Sequence, residues 1–401
     1  MVPVNFLMYR PYYKQKNRRV MKKIIKLIML MFCCNAYASG ATFASSDYLS
    51  NAADVWMRVL TGNGTAGEIA ERIQPMQASD VSQFANFISI LAYNDTAFTI
   101  FESDAHMARA LDFLAQPLNA RRRDCSPNVS GCGNVRHSLV IDGGAGASVS
   151  DYDKSNNSDF KTKTTEFVVR AKAFVSDAIA FGVGYTRTDT DNRDSPIDIS
   201  ATGNSVTMFA QYLSKSGLFA NIGINAGNIA WRSDKTIVGV PNDEDFNTDF
   251  WGGQINTGAQ IVAGQFVMTP QIGMKYMRVS SDSHTDTATQ YFKHWWYNTL
   301  RAMAGASVGF DFIASGFTVR PMISGGGTYD IISNGTDNVS VRVANYDTYD
   351  IPVQTAARAG FTGGAGIGVY GARFAATLDW RMDMRNDYTA HTGMLNIKIT
   401  F

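Results

Sequence analysis

The stretch GMLNIKITF, residues 393–401, alternates strictly between apolar and polar side chains. Its apolar positions are Leu395, Ile397, Ile399 and Phe401. Successive side chains of a strand point to opposite faces of a sheet, so this period of two predicts a strand with one apolar face. Residues 372–384 show the same alternation over a longer run, with large apolar side chains such as Leu378 and Trp380 on one face.

The period of two begins near Ser138 and continues to the last residue. It defines twelve candidate strands, 138–150, 164–175, 178–188, 203–213, 217–230, 249–262, 265–279, 295–312, 316–331, 353–369, 372–384 and 389–401. Strands of soluble proteins average about 5–6 residues, whereas a tilted membrane-spanning strand needs about 9–11. Since these runs are long and even in number, we predict an all-β, twelve-stranded antiparallel transmembrane barrel preceded by a short α-helical segment.

The connections between these strands differ at the two ends of the predicted barrel. Those after the even-numbered strands are very short (SD, SKS, AG, IAS and YG), and those after the odd-numbered strands are long and polar. Examples of the long connections are DYDKSNNSDFKTK, TDNRDSPIDIS and SDKTIVGVPNDEDFN. This asymmetry is typical of outer-membrane barrels, with turns in the periplasm and loops outside. Because an unpaired strand edge is costly in hydrocarbon, we expect strand 389–401 to pair with strand 138–150.

The first residues have the pattern of an export signal. Lys22, Lys23 and Lys26 precede the apolar run 27–34, and an A-x-A sequence ends at Ala38. The run is shorter than the roughly 20 residues of a membrane-spanning helix. We therefore predict a signal peptide over residues 1–38, cleaved after Ala38, with Met21 as a more natural start than the first residue.

Residues 39–134 carry apolar side chains three and four apart and are predicted to form three or four helices. Ser103 or Asp104 is the expected N-cap of the last helix. Cys125 and Cys132 follow it in CSPNVSGC. After export they meet an oxidising compartment, so we predict a disulfide between them, with two free thiols as the alternative.

The sequence contains no convincing catalytic, cofactor or metal motif. Lys and Arg number 36 against 35 Asp and Glu, which gives no electrostatic reason to expect nucleic acid as a partner. GNGTAG at 62–67 lacks the preceding strand that a dinucleotide site requires. His284 with Asp282 and Asp286 is the nearest approach to a rim site, but a solvated loop is expected there. We predict no enzyme activity, no cofactor, no metal and no small-molecule substrate.

Polar residues on the face opposite the apolar one are predicted to line the lumen. They would contact a helix inside the barrel, influence ion passage or simply solvate a wet interior. These residues are Arg170, Lys172, Gln271, Lys275, Arg301, Arg320, Arg373, Asp379, Arg381 and Asp383.

The chain resembles the autotransporter β-domain, the translocator of type V secretion. The resemblance lies in AIAFGVGYTRTDTD, SVTMFAQYLSKSGLFANIGINAG, FVMTPQIGMKYMRVSSD and RFAATLDWRMDMRNDYTAHTGMLNIKITF, in strand count and in the aromatic ending. It implies an outer-membrane location in a Gram-negative bacterium, with loops at the cell surface. It also implies that Leu395, Ile397, Ile399 and Phe401 form an insertion signal for the barrel assembly machinery. The implied partners are outer-membrane lipid, that machinery and periplasmic chaperones, and the implied plug is a helix at 105–123.

The division of the chain follows from these patterns. We expect a signal peptide at 1–38, a helical mini-passenger or periplasmic segment at 39–104, a plug helix with the cysteine loop at 105–137, and the barrel at 138–401. Residues 39–104 show no repeat and are too short for the usual solenoid passenger. The alternatives are a porin-like or adhesin-like barrel without an exported segment and, less favoured, a rim-active outer-membrane hydrolase.

Overall fold

A computed structural model describes residues 98–116, 139–152, 160–192, 197–237, 240–287, 290–314, 316–343, 348–352, 357–371, 373–386 and 388–401. The chain divides into two compact units, Met1–Ser39 and Gly40–Phe401. The first unit, which contains the predicted signal peptide, lies outside the described residues, and so does the predicted Cys125–Cys132 disulfide. Both stay predictions.

Twelve long strands form the wall of a closed antiparallel barrel. They are β1 Leu139–Tyr152, β2 Phe160–Phe174, β3 Ile179–Asn192, β4 Ile197–Leu213, β5 Leu218–Ile237, β6 Val240–Ala259, β7 Phe266–Ser281, β8 Trp295–Phe310, β9 Phe317–Gly335, β10 Ala359–Tyr370, β11 Phe374–Arg385 and β12 Tyr388–Thr400. Each strand pairs with the next, and β12 pairs with β1. The predicted twelve-stranded barrel and its closing pair are therefore confirmed.

The closing pair runs almost the full length of both strands. Its register extends from Val140 opposite Thr400 to Tyr152 opposite Tyr388. The backbone N–H of Phe401 also donates a hydrogen bond to the carbonyl oxygen of Leu139 at 2.9 Å. Neither strand is left with an open edge at this seam, as a wall surrounded by lipid requires.

One end of the barrel has short connections, as predicted. The described ones include 175–178, 214–217 and 264–265. Two three-residue strands, Ile261–Ala263 and Phe312–Ala314, continue the wall beside the turns at this end. Gly217 and Gly264 adopt φ values of +90° and +63° there, which glycine accepts without steric cost.

The other end differs from the prediction of long loops in two places. The stretches TDNRDSPIDIS and SDKTIVGVPNDEDFN were expected to be loops, but they continue β3–β4 and β5–β6 as hairpins. Strands β5 and β6 are each 20 residues long and pair up to Ile237 and Val240. The prediction is wrong because the exposed polar residues in these stretches, such as Asp191, Asp234 and Asp245, lie on the outward face of a sheet that extends beyond the lipid.

The connections β7–β8 and β9–β10 form a second sheet that was not predicted. Its four short strands are His284–Thr285, Gln290–Phe292, Asn338–Val343 and Thr348–Pro352. We call it the outer sheet. One of its faces is buried and mainly apolar, and contains Phe292, Val339, Val341, Tyr349 and Ile351.

A helix lies inside the barrel. The described part covers 98–111 and continues as a 3-10 turn, Asp112–Ala115; together we call them the lumen helix. The predicted plug helix, 105–123, began too late: Ser103 and Asp104, expected at its N-cap, lie within the helix. Residues 117–123 are outside the described part. Among the helices that the structure describes, none is both long and apolar enough for a membrane span.

Candidate functional site: the lumen helix

The direction of the lumen helix follows from its contacts at the two ends. The ring of Phe98 packs edge-on against Trp231, 5.4 Å between centroids, in the extended part of β5. At the other end, Asn221 Nδ2 donates hydrogen bonds to the carbonyl oxygens of Leu114 and Gln116, both at 2.8 Å. Asn221 lies near the short turn that precedes β5. The chain therefore enters the barrel at the long-loop end and reaches the short-turn end.

His106 fixes the helix to β3 and β4. Its Nδ1 lies 2.7 Å from Thr188 Oγ1 and its Nε2 lies 2.9 Å from Ser205 Oγ. All three side chains are buried. Gly203 makes room for the ring, because a Cβ at this position would lie 2.7 Å from His106 Nδ1. The absence of a side chain at this wall position thus allows the close approach.

A buried charge cluster fixes the opposite side of the helix. Asp104 accepts hydrogen bonds from Lys275 Nζ at 2.5 Å and from Arg301 Nη1 at 2.7 Å. Arg301 Nε also donates to Asp330 Oδ1 at 2.5 Å, and Arg385 Nη1 donates to Asp330 Oδ2 at 3.1 Å. The cluster joins the helix to four strands. Buried charges of this kind are tolerated because each one is paired.

Arg109 and Arg381 make further ionic contacts nearer the short-turn end. Arg109 lies 3.6 Å from Glu102 on its own helix and 3.7 Å from Glu166 on β2, and donates a hydrogen bond to Ser148 at 2.8 Å. Arg381 on β11 forms an ion pair with Asp112. These contacts, with His106 and Asp104, attach successive turns of the helix to different sides of the wall.

The predicted lumen-lining residues divide into groups. Lys275, Arg301 and Arg381 bind the helix, and the guanidinium of Arg170 lies 4.3 Å from the centre of the Phe113 ring. Wall contacts hold two others: Lys172 donates to Gln211 at 3.4 Å, and Arg320 donates to Asp311 at 2.5 Å.

The remaining members of that set are less enclosed. Gln271, Asp379 and Asp383 are half-buried on the wall. Arg373 lies in the short connection before β11 and is exposed, so it belongs to the rim rather than to the lining. Inward side chains are therefore less buried along β11 than along β2–β6.

Several helix-binding residues were missed from the sequence. On the helix they are Glu102, Asp104, His106, Arg109 and Asp112, and on the wall they include Thr188, Ser205 and Asn221, while Asp330 and Arg385 act indirectly through Arg301. A signal for the first group exists. These are polar groups on several sides of a helix that is otherwise apolar, which indicates a polar cavity around it rather than lipid or a hydrophobic core.

The four residues of the expected insertion signal lie on the outward face. Leu395, Ile397, Ile399 and Phe401 are exposed by 48, 43, 44 and 66%. They form one apolar stripe along β12, next to the seam with β1. Their side chains are therefore placed to contact lipid.

His284 does not lie in a solvated loop, contrary to expectation. Its side chain is 13% exposed, and its ring stacks between Phe246 at 4.7 Å and Phe292 at 4.8 Å. Its Nε2 lies 2.5 Å from Glu244 Oε1. Asp282 offers only its backbone carbonyl oxygen, and the carboxylate of Asp286 binds Gln290. In the described ranges, no three His, Cys, Asp or Glu side chains are grouped to hold a metal ion.

An apolar exterior, unequal connections and a helix that runs through the lumen define the class of outer-membrane barrels whose own chain crosses the pore. The model of the autotransporter β-domain family matches residues 138–382, and the chain belongs to this family. The barrel is thus an autotransporter-type barrel of the outer membrane of a Gram-negative bacterium, in contact with lipid. Barrels of this family serve as transporters and anchors; the predicted lack of enzyme activity stays a prediction.

Solved structures and curated relatives agree with this assignment. The translocator domain of the autotransporter NalP from Neisseria meningitidis has a TM-score of 0.59 at 9% identity, covering 77% of this chain and 99% of that one. The β-domain of the Bordetella autotransporter BrkA has a TM-score of 0.51 at 10% identity, covering 65% and 98%. These likenesses concern the fold.

The sequence relatives are much longer proteins. Outer membrane protein A of Rickettsia conorii is 23% identical over 273 residues, which is 61% of this chain and 13% of that protein. Outer membrane protein A of Rickettsia rickettsii is also 23% identical over 273 residues and is covered over 12% of its length. The chain therefore spans only about an eighth of the relatives that it matches.

Proposed function

We propose that the barrel carries the residues before the lumen helix, 39–97, to the cell surface and anchors them there. The observation that supports this is the direction of the helix, from Phe98 beside Trp231 to Gln116 beside Asn221. Short turns of outer-membrane barrels lie in the periplasm and long connections lie outside. The described helix therefore begins, at Phe98, towards the outer side of the barrel. The exported segment would end at 97 rather than at 104, because 98–104 belong to the helix.

The lumen helix would act as a plug once export is complete. Its ionic contacts with β2, β7, β8 and β11 fix it along its length, and its side chains bury the inward face of β2–β6. A helix held in this way reduces the water-filled cross-section through which ions move. The half-buried residues along β11 would line the narrow passage that remains.

Insertion would depend on the apolar stripe of β12, formed by Leu395, Ile397, Ile399 and Phe401. These side chains are 43–66% exposed on the closed barrel, and the outer-membrane barrel assembly machinery would contact the same stripe before the seam with β1 forms. Periplasmic chaperones would cover the same apolar belt during transit, since the outward face cannot remain in water unprotected.

Protease treatment of intact cells tests the export. An epitope tag placed after Gly40 should be removed from outside, while the barrel remains intact and retains its heat-modifiable gel mobility. A tag that is cut only after the outer membrane is permeabilised would contradict export and favour the porin-like alternative.

Planar-bilayer conductance tests the plug. Deleting 98–116 from the purified barrel should raise single-channel conductance by several-fold relative to the intact chain. Equal conductance of the two proteins would show that the helix does not obstruct the pore.

A further inference from the structure

We propose that Arg278, on the outside of the barrel wall, binds the phosphate of a lipid in the outer leaflet of the membrane. Its neighbours are Tyr276 on the same strand, Trp251 on β6, and Trp296 and Asn298 on β8. We call these five residues the Arg278 site. The site lies on the outward face of the wall, so it would form whether or not residues 39–97 are exported.

The Arg278 site lies at the extracellular border of the hydrocarbon layer. The outward side chains of β7 are apolar from Phe266, beside the short turn, to Met274, and Tyr276 and Arg278 follow them. The strand rises about 26 Å between Phe266 and Tyr276, at about 3.4 Å per residue and a tilt of about 40°. The apolar band of outer-membrane barrels is about 25 Å tall and ends in aromatic residues. Arg278 is therefore level with the headgroups of the outer leaflet.

Aromatic and polar side chains of the neighbouring strands surround Arg278. In the register of the sheet it faces Trp251 on one side and Asn298 on the other. Its guanidinium lies 5.0 Å from the centre of the Trp296 ring. Below it, Tyr276 Oη donates a hydrogen bond to Asn298 Oδ1 at 3.4 Å. Stacking on an aromatic face positions a guanidinium and leaves its N–H groups available to an acceptor.

A second arginine of the wall has similar surroundings. Arg187 lies two residues beyond Tyr185 on β3, the same spacing as between the tyrosine and the arginine on β7. It faces Phe167 on one side and Asn204 on the other. Tyr185 Oη donates a hydrogen bond to Asn204 Oδ1 at 2.6 Å. The two arginines therefore share a tyrosine below, an aromatic residue on one side and an asparagine on the other.

The two arginines differ in their counter-charge. Arg187 donates two hydrogen bonds to the carboxylate of Asp189, from Nε at 3.2 Å and from Nη2 at 3.1 Å. The residue in the same position after Arg278 is Ser280, which carries no charge. Within the described ranges, neither Asp249, which faces Ser280 from β6, nor any other carboxylate forms an ion pair with Arg278. Its charge is therefore open to an external anion.

The surroundings of Arg278 identify the anion as part of a lipid. A guanidinium binds a phosphate through two parallel N–H···O bonds, and such charge-assisted bonds are about twice as strong as neutral ones. Towards the centre of the membrane the next outward side chains are apolar, Met274 on β7 and Leu300 on β8. They would contact the acyl chains of the molecule whose phosphate binds Arg278. Trp251, which is 53% exposed, would flank its headgroup. The ligand is therefore a phosphorylated lipid rather than a free phosphate.

Lipid binding by the purified full-length protein in a non-ionic detergent tests the site, with phosphorylated lipid A as the probe and native mass spectrometry as the measurement. Arg278→Ala should weaken binding at least about tenfold, because hydrogen bonds to charged groups contribute more than neutral ones. Ser280→Asp should weaken it to a similar extent, since it supplies the internal carboxylate that Arg187 already has. The matched control is Arg187→Ala, which should bind as the unaltered protein does. Heat-modifiable gel mobility reports on whether each variant has folded.

Several results would overturn the site. Unchanged affinity in both Arg278→Ala and Ser280→Asp would show that the phosphate binds elsewhere. An equal loss in Arg187→Ala would reduce the effect to general surface charge. Equal affinity for lipid A from which the phosphates have been removed would show that only the acyl chains are bound. Displacement of the lipid by inorganic phosphate at the same concentration would indicate an adventitious ion only.

Discussion

On the outward face of the barrel wall apolar side chains are exposed, whereas on the inward face polar side chains are buried. Outward Ile224 and Leu378 are large and apolar, yet 58 and 57% of their surfaces are exposed. Inward Thr207 and Asp330 are polar, yet they are 1 and 2% exposed. The wall is therefore not stabilised by a conventional hydrophobic core. Lipid must cover the first face, whereas the second is satisfied by polar partners on the wall, such as Asn225 for Thr207 and Arg301 for Asp330, and by side chains of the lumen helix.

Removing one charge from the inward face should have the largest effect on stability. Asp330→Asn leaves Arg301 and Arg385 without their shared counter-charge, at positions where all three side chains are buried. Breaking a buried pair by removing one partner costs about 3–5 kcal/mol. We expect a clear fall in the urea midpoint of the barrel in lipid vesicles. An unchanged midpoint would show that water reaches this cluster freely.

Adding a charge to the outward face should have the next largest effect. Ile224→Arg and Leu378→Arg each place a guanidinium against lipid, at a cost of about 2–4 kcal/mol near the bilayer midplane. We expect less heat-modifiable barrel in the outer membrane. Thr377→Arg is the matched control, because Thr377 is the half-buried inward neighbour of Leu378. If Thr377→Arg proved the most harmful of the three, the assignment of faces would be reversed.

The smallest effect is expected for an ion pair above the lipid. Arg187 and Asp189 lie on the outward face of β3, with Nη2 and Oδ1 3.1 Å apart and both side chains 51% exposed. The hydrogen bond from Arg187 lowers the pKa of Asp189, so any stabilisation is present at neutral pH and is lost as the pH falls through that lowered pKa.

Water screens such an exposed pair. Asp189→Asn should therefore leave the urea midpoint at pH 7 unchanged within error. A shift as large as that of Asp330→Asn would show that burial does not decide the strength of these pairs.

The membrane-spanning wall could be predicted from the sequence, because side chains that face lipid have to be apolar. Prediction from the sequence failed above the lipid, where outward side chains no longer have to be apolar. In β5 the apolar positions change face between outward Ile224 and inward Ile229 and Trp231. This change of face marks the level at which the sheet leaves the lipid, and it can be read from the sequence. The outer sheet offered no such signal, since its shortest strand has only two residues.

The start of the lumen helix was misplaced for a related reason. Ser103 and Asp104 have the side chains of an N-cap, but Asp104 binds Lys275 and Arg301 on the wall instead. Local capping preference was outweighed by a long-range contact. The pairing partners could not be inferred from one sequence, because they depend on the rotation of the helix within the lumen.

The seam between β1 and β12 gives the molecule the topology of a threaded ring. The backbone passes through a loop of hydrogen bonds that the same backbone later completes, with thirteen facing residue pairs at the join. A pull on the N-terminal end of the lumen helix would draw the helix against this ring, and the Asp104 and Arg109 contacts would resist sliding. To free the thread without cutting it, the ring would have to shear along an entire strand.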